Sequence, residues 1–209
     1  MAKQRRAVII LAAGQGSRMK SSTPKVLHEV LGLPMIAHVL TAAAALSPER
    51  VVVVTGHGRA AVEAWVAAWT AANTELLGAC SVQCVEQVAP RGTGHAVQFA
   101  LPALAELDAE MDEVLILYGD VPLLRVETLT ALLAARKTGA ISLLAGDVAD
   151  PTGYGRVVLD DKQRVARIVE HTDATPAERE VRLINAGMMA VRADFLRGAL
   201  SRLDDNNAQ

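Results

Sequence analysis

An unbroken apolar run, Ala7 to Ala13 (A-V-I-I-L-A-A), leaves this chain few folds to choose from. A short apolar run rich in β-branched residues predicts a strand buried on both faces. The run breaks at Gly14 and Gly16. Glycine can take φ > 0 and lets backbone approach a ligand closely. Backbone N–H groups exposed in such a turn form a concave anion site. Two cations follow, Arg18 and Lys25, and Pro24 stiffens the chain just before the lysine. A buried strand, a glycine turn and two placed cations suit a polyphosphate. The two common phosphate loops do not fit. The dinucleotide fingerprint needs a third glycine, and the P-loop needs Gly-Lys-Ser/Thr at its end.

The same pattern returns along the chain. Val51 to Val54 is a second β-branched run and ends in T-G-H-G. Ser81 to Glu86 alternates and leads through Gln87 to R-G-T-G-H. Glu113 to Tyr118 runs into G-D-V-P-L. Between the runs, helical spacing predicts helices over Met35–Leu46, Arg59–Ala71, Gly94–Leu104 (with Thr93 as its cap), Val126–Arg136 and Ala193–Leu203. Gly139 to Ala145 predicts a further strand. Val157–Leu159 and Val165–Val169 flank D-D-K and predict a hairpin. Ala174 to Arg182 is polar and predicts a surface segment. Leu183 to Val191 predicts a last strand, interrupted by Asn185 and Gly187. Strands alternating with helices predict an α/β, Rossmann-like three-layer fold. Its central sheet is mostly parallel, with helices on both faces and a small β-hairpin excursion.

Composition narrows the function. The chain has 209 residues and a formal net charge of −2, with only 3% aromatic residues. That balance offers no basic surface for nucleic acid or membrane and no aromatic platform for stacking bases. Lys3 to Arg6 followed by the Ala7 run has the outline of a secretory signal. The run is short for one, however, and flows directly into the cations and Pro24. No apolar stretch nears the ~20 residues needed to cross a bilayer. The expected location is cytoplasmic. Cys80 and Cys84 would lie on one face of a regular strand, about 13 Å apart. That is too far for a disulfide, and reduced thiols are expected.

Four residues invite a chemical reading beside a plainer one. Asp120 follows a buried strand, where open α/β sheets bind ligands, and a lone carboxylate there suits Mg²⁺. It could instead cap the helix from Val126; the flanking glycine and proline favour the metal. The Gln87 amide could donate to and accept from an imide such as uracil. A buried Asn185 needs partners, which sugar hydroxyls or protein backbone would supply equally well. His57 could be a ligand, but a polar loop residue is the favoured reading.

The blocks L-A-A-G-Q-G-S-R-M, P-K-V-L-H, G-H-G, G-T-G-H-A, Y-G-D-V-P-L, D-P-T-G-Y-G-R, I-V-E-H-T-D-A and I-N-A-G together resemble a known family. It is the N-terminal uridylyltransferase domain of the bacterial bifunctional N-acetylglucosamine-1-phosphate uridylyltransferase/glucosamine-1-phosphate acetyltransferase. The resemblance covers nearly the whole chain and implies a nucleotidyltransferase fold. It also implies roles. Leu11, Ala12, Ala13 and Gly14 would hold the nucleotide by backbone, and Arg18 and Lys25 would meet phosphates as catalytic cations. Gln87, Gly92 and Thr93 would read uracil; Gln87 is placed by counting back from Gly92 without a gap. Tyr118 and Gly119 would lie beside ribose and sugar, and Asp120 would hold Mg²⁺. Gly155, Glu170 and Asn185 would hold N-acetylglucosamine.

The implied reaction joins UTP and N-acetylglucosamine 1-phosphate into UDP-N-acetylglucosamine, a cell-envelope precursor, and pyrophosphate. The implied partners are these small molecules, and the full-length protein is expected to be a homo-oligomer. The alternatives are another sugar-1-phosphate nucleotidyltransferase or a non-catalytic nucleotide-binding module. In the family, N-N-A-Q is followed by a further block carrying a second, asparagine ligand to Mg²⁺, and by a β-helix acetyltransferase domain. This chain stops at Gln209. Read as a truncated domain spanning residues 1–209, it is expected to bind nucleotide but turn over poorly.

Overall fold

The computed structural model describes residues 4–16, 19–89, 91–105 and 111–202. Strand β1 (Arg6–Leu11) leads through the glycine turn and a short 3-10 turn (Lys25–Leu27) to a minor hairpin, β2 (Glu29–Val30) and β3 (Leu33–Pro34). Next come α1 (Met35–Ala44), β4 (Arg50–Thr55), α2 (Arg59–Ala72) and α3 (Thr74–Leu77). They are followed by β5 (Ser81–Glu86), α4 (Thr93–Ala105), β6 (Glu113–Tyr118) and α5 (Val126–Arg136). The last third holds β7 (Ile141–Asp147), β8 (Arg156–Leu159), β9 (Val165–Val169), α6 (Pro176–Arg179), β10 (Leu183–Arg192) and α7 (Ala193–Leu200).

Among the described residues, one sheet runs in the order β5-β4-β1-β6-β10-β8-β9, with β7 also on β10. The β5-β4-β1-β6 part is parallel throughout. Strand β10 turns the sheet antiparallel against β6, β7 and β8. The hairpin β8–β9 is the expected excursion.

Alternation along β1 explains the three layers. Val8 and Ile10 face one way and pack with Ile36 and Val39 of α1, Val62 and Val66 of α2, and Leu129 and Leu133 of α5. Ala7, Ile9 and Leu11 face the other way, onto Val97 and Ala100 of α4 and Leu196 and Leu200 of α7. A strand apolar on both sides is satisfied only by helices on both faces. The run with the outline of a signal is thus a central strand of the sheet.

The chain steps outward from β1 to β4 and β5, then crosses back to place β6 on the other side of β1. That reversal opens a crevice beyond the carboxyl ends of β1 and β6, where α/β sheets bind ligands. The glycine turn and Asp120 both lie there.

Several boundaries differ from expectation. Thr93 does not precede α4 as a cap; it is the first helical residue, and its hydroxyl is taken by Tyr118. Helix α1 ends at Ala44 because a tighter turn, Leu46 N–H to Ala43 O, follows it. Strand β7 starts at Ile141, since the Gly139 N–H closes α5 on Arg136 O. The expected surface segment contains α6, nucleated by a capping box between Thr175 and Glu178. The last expected helix runs to Leu200; Leu203 lies outside the described residues.

Cys80 and Cys84 are both free and pack against the same core face. Burial pushes the Cys84 thiol up to about 11, helped by the Glu63 charge and opposed by Arg59. The nucleophilic thiolate is therefore scarce at pH 8. Alkylation of Cys84 in the folded protein is expected to be about two orders of magnitude slower than that of a free cysteine. Stopped labelling with mass spectrometry checks it; labelling at the free-thiol rate would contradict this placement.

Candidate active site

Three strand ends are stitched together at the crevice. Gly119 N–H donates to Leu11 O (2.9 Å), Ala12 N–H to Val54 O (2.8 Å) and His57 N–H to Ala13 O (3.3 Å). Glycines allow the close approach. A Cβ on Gly56 would lie 2.9 Å from that of Ala13. Gly58, at φ +66, is the floor on which Pro24 rests. Gly16, at φ +60, would meet Lys25 Cβ at 2.8 Å if it carried a side chain. The proline and the lysine are thus seated by glycines from two different turns.

The result is a cleft of about 1010 Å³. Of the expected residues, Leu11, Ala12, Ala13, Gly14, Lys25, Gln87, Gly92, Thr93, Tyr118 and Asp120 all line it. Gly119 is fixed in the same wall by its bond to Leu11. Arg18 lies outside the described residues.

Lys25 Nζ and Asp120 Oδ2 form an ion pair in the cleft, a contact between distant segments that has no local sequence signal. Helix α5 takes Arg125, not Asp120, as its N-cap, so the capping alternative for Asp120 is removed.

The Gln87 side chain is 8% exposed. Its amide nitrogen donates to Gly92 O (3.2 Å) and contacts His95 Nδ1 (3.2 Å). His57, expected as a loop residue, lies on the cleft wall beside Gly56.

A second cluster adjoins the cleft through Tyr118. Thr93, Tyr118, Asn185 and Gly187 line a side pocket of about 170 Å³. Gly187 has φ +78, and a Cβ there would overlap the Tyr118 ring. The Asn185 N–H donates to Gly155 O (2.8 Å), while its side-chain oxygen accepts from Gly187 N–H (2.7 Å). A Cβ on Gly155 would stand 3.2 Å from Glu170 Oε1. Gly155, Glu170 and Asn185 are therefore brought together. The Asn185 amide nitrogen has no partner among the described residues.

Burial pushes the Tyr118 hydroxyl up, and the Asp120 and Glu170 charges add to that; the Thr93 hydroxyl opposes them. Tyr118 thus remains a neutral hydrogen-bond donor near two carboxylates. In the sequence Gly187 reads only as an interruption of a strand. Its role as the seat of the Tyr118 ring has no local sequence signal.

A family model for the MobA-like NTP transferase domain matches residues 8–185. The chain belongs to this family. It is 48% identical over 202 residues to the bifunctional protein GlmU of Pseudomonas aeruginosa (strain LESB58), covering 97% of this chain and 41% of that one. The corresponding protein of Alkalilimnicola ehrlichii is 48% identical over 207 residues (99% and 41%). That of Bordetella petrii is 47% identical over 202 residues (97% and 42%). The chain spans about 41% of the length of these relatives. A crystal structure of a UDP-glucose pyrophosphorylase complexed with UDP-glucose superposes with a TM-score of 0.73. It covers 98% of this chain and 83% of that one at 17% identity, and so shares the fold.

An NTP transferase domain of this type works with a divalent metal, and the donor set here can be tested against one. Among the described residues, no group of three or more His, Cys, Asp or Glu stands together. A closed protein cage is therefore absent from the described residues. A single carboxylate facing an open cleft is the arrangement Mg²⁺ uses when phosphate oxygens and waters complete its shell. Asp120 fits that role.

Among the described residues, no helix is long and apolar enough to cross a membrane.

Proposed function

We propose that this domain transfers a uridylyl group from UTP to N-acetylglucosamine 1-phosphate, releasing UDP-N-acetylglucosamine and pyrophosphate. The observation that carries the reading is the Lys25–Asp120 pair. The pair lines the cleft together with the glycine turn after β1, and Tyr118 is shared by that cleft and the side pocket of Asn185. The likeness to the three bifunctional relatives supports the choice of substrates. Reduced thiols suit a cytoplasmic location, which we include in the proposal.

In this scheme a phosphate oxygen of the sugar phosphate attacks the α-phosphorus of UTP as the bond to pyrophosphate breaks. The attacking group is already an anion near pH 7, so no general base is needed. The difficulty lies in aligning two anions, and positioning with charge neutralisation does most of the work. The turn after β1 holds the nucleotide by backbone N–H groups. Gln87, Gly92 and Thr93 meet the base. Lys25 turns from Asp120 to the α- and sugar phosphates, and Arg18 takes the leaving pyrophosphate. Gly155, Glu170 and Asn185 hold the N-acetylglucosamine. Asp120 would hold Mg²⁺, which would supply positive charge to the phosphates.

The test mixes the protein, at a concentration high enough to register the slow turnover expected of residues 1–209, with each of UTP, CTP and GTP, N-acetylglucosamine 1-phosphate and Mg²⁺, and follows pyrophosphate. Turnover confined to UTP supports the proposal. Equal or greater turnover with another nucleotide contradicts it.

A further inference from the structure

We propose that His95 is a positioning residue for base choice: it fixes which face of the Gln87 amide the nucleotide meets. The inference rests on the uridylyl reading above. The two ends of an amide differ in chemistry, since nitrogen only donates and oxygen only accepts. The Gln87 nitrogen lies 3.2 Å from Gly92 O and 3.2 Å from His95 Nδ1. A carbonyl can only accept, so it is the nitrogen that points to this corner. His95 Nδ1 then also accepts, which puts the ring proton on Nε2.

Both acceptors belong to the start of α4. Gly92, at φ +95, offers a carbonyl that also accepts from Ala96 N–H (3.2 Å) in the first turn of the helix. His95 is carried by α4, and its ring meets Phe99 edge-on, with centroids 4.9 Å apart and planes at 81°. The His95 ring is the side-chain half of this corner, and the half that substitution can remove.

With its nitrogen held inward, Gln87 is left with its oxygen. That oxygen has no hydrogen-bond partner among the described residues, and the residue lines the cleft. An acceptor there suits the imide N–H of uracil. At the same ring position cytosine carries a lone pair, and the two acceptors would repel. Gly92 O and the His95 ring together convert an ambivalent amide into a reader of uracil, and His95 supplies the second hold on its nitrogen.

The experiment compares UTP and CTP binding by competition calorimetry in the wild type, His95→Leu, His95→Ala and His95→Asn. Leucine and alanine remove the acceptor, the first keeping bulk and the second adding none. Asparagine restores an acceptor near the Nδ1 position. The preference for UTP over CTP is expected to shrink by about 3- to 10-fold in the Leu and Ala variants, the worth of one hydrogen bond. It is expected to survive in His95→Asn. A merely structural role would weaken both nucleotides alike. A wild type that prefers UTP, with the same preference in His95→Leu and His95→Ala, overturns the inference alone. A wild type with no preference overturns the uridylyl reading and this inference with it.

Discussion

Asp120→Asn is expected to lower uridylyl transfer by ~10²–10³-fold, the usual cost of removing one preorganised charged group from a reacting centre. The carboxylate stands at the crevice where β6 ends, and in the unliganded protein its partner is Lys25. Asparagine keeps the shape but loses the charge that a hard cation needs. The substitution also frees Lys25 from its ion pair, so UTP binding measured without Mg²⁺ is expected to hold or tighten. The signature is a split: transfer falls steeply while metal-free nucleotide binding does not. Near-wild-type transfer in this variant would remove Asp120 from the mechanism. Parallel losses of binding and transfer would point to a damaged cleft instead.

The largest expected effect on stability lies at the opposite end of β6. Glu113 is 0% exposed and accepts from Arg136 Nη2 (2.9 Å) and Nε (3.2 Å). Its other oxygen lies 3.2 Å from Arg6 Nη2, at ion-pair distance but without hydrogen-bond geometry. The cluster ties β1, β6 and α5 together at the amino end of the sheet. Glu113→Ala leaves the Arg136 guanidinium buried without its counter-charge, and a loss of about 3–5 kcal/mol is expected. Urea unfolding measures it. The pair itself contributes little over a packed apolar pair, so Glu113→Leu with Arg136→Met is expected to recover much of the loss. A cost below about 1 kcal/mol for Glu113→Ala alone would show that water reaches the arginine.

The parallel half of the sheet was readable because its strands are buried on both faces. The runs Ala7–Ala13, Val51–Val54 and Glu113–Tyr118 are continuous apolar stretches, and each ends in a turn that reaches the crevice. The strands after residue 140 were less distinct, because β7, β8 and β9 are only partly covered and their patterns are mixed. That β10 joins β6 antiparallel is a tertiary fact with no local signal.

The site shows the same division. Residues on the turns after β1 and β6 were legible from glycine placement and residue chemistry. The contacts between those turns were not, because each depends on two distant segments meeting. Lys25 on Asp120, Pro24 on Gly58 and Tyr118 on Gly187 are all of this kind. Thr93 shows how a local reading can miss a tertiary partner. Its hydroxyl was expected to cap a helix, but the neighbouring Tyr118 takes it instead.

Calorimetric titration with UDP-N-acetylglucosamine, set against UDP-glucose and GDP-mannose with and without Mg²⁺, tests the proposed substrate pair most directly. The cleft and its Asn185–Glu170 side predict tight binding of UDP-N-acetylglucosamine, weaker binding of UDP-glucose and none of GDP-mannose. Equal binding of all three, or preference for the guanosine sugar, would contradict it.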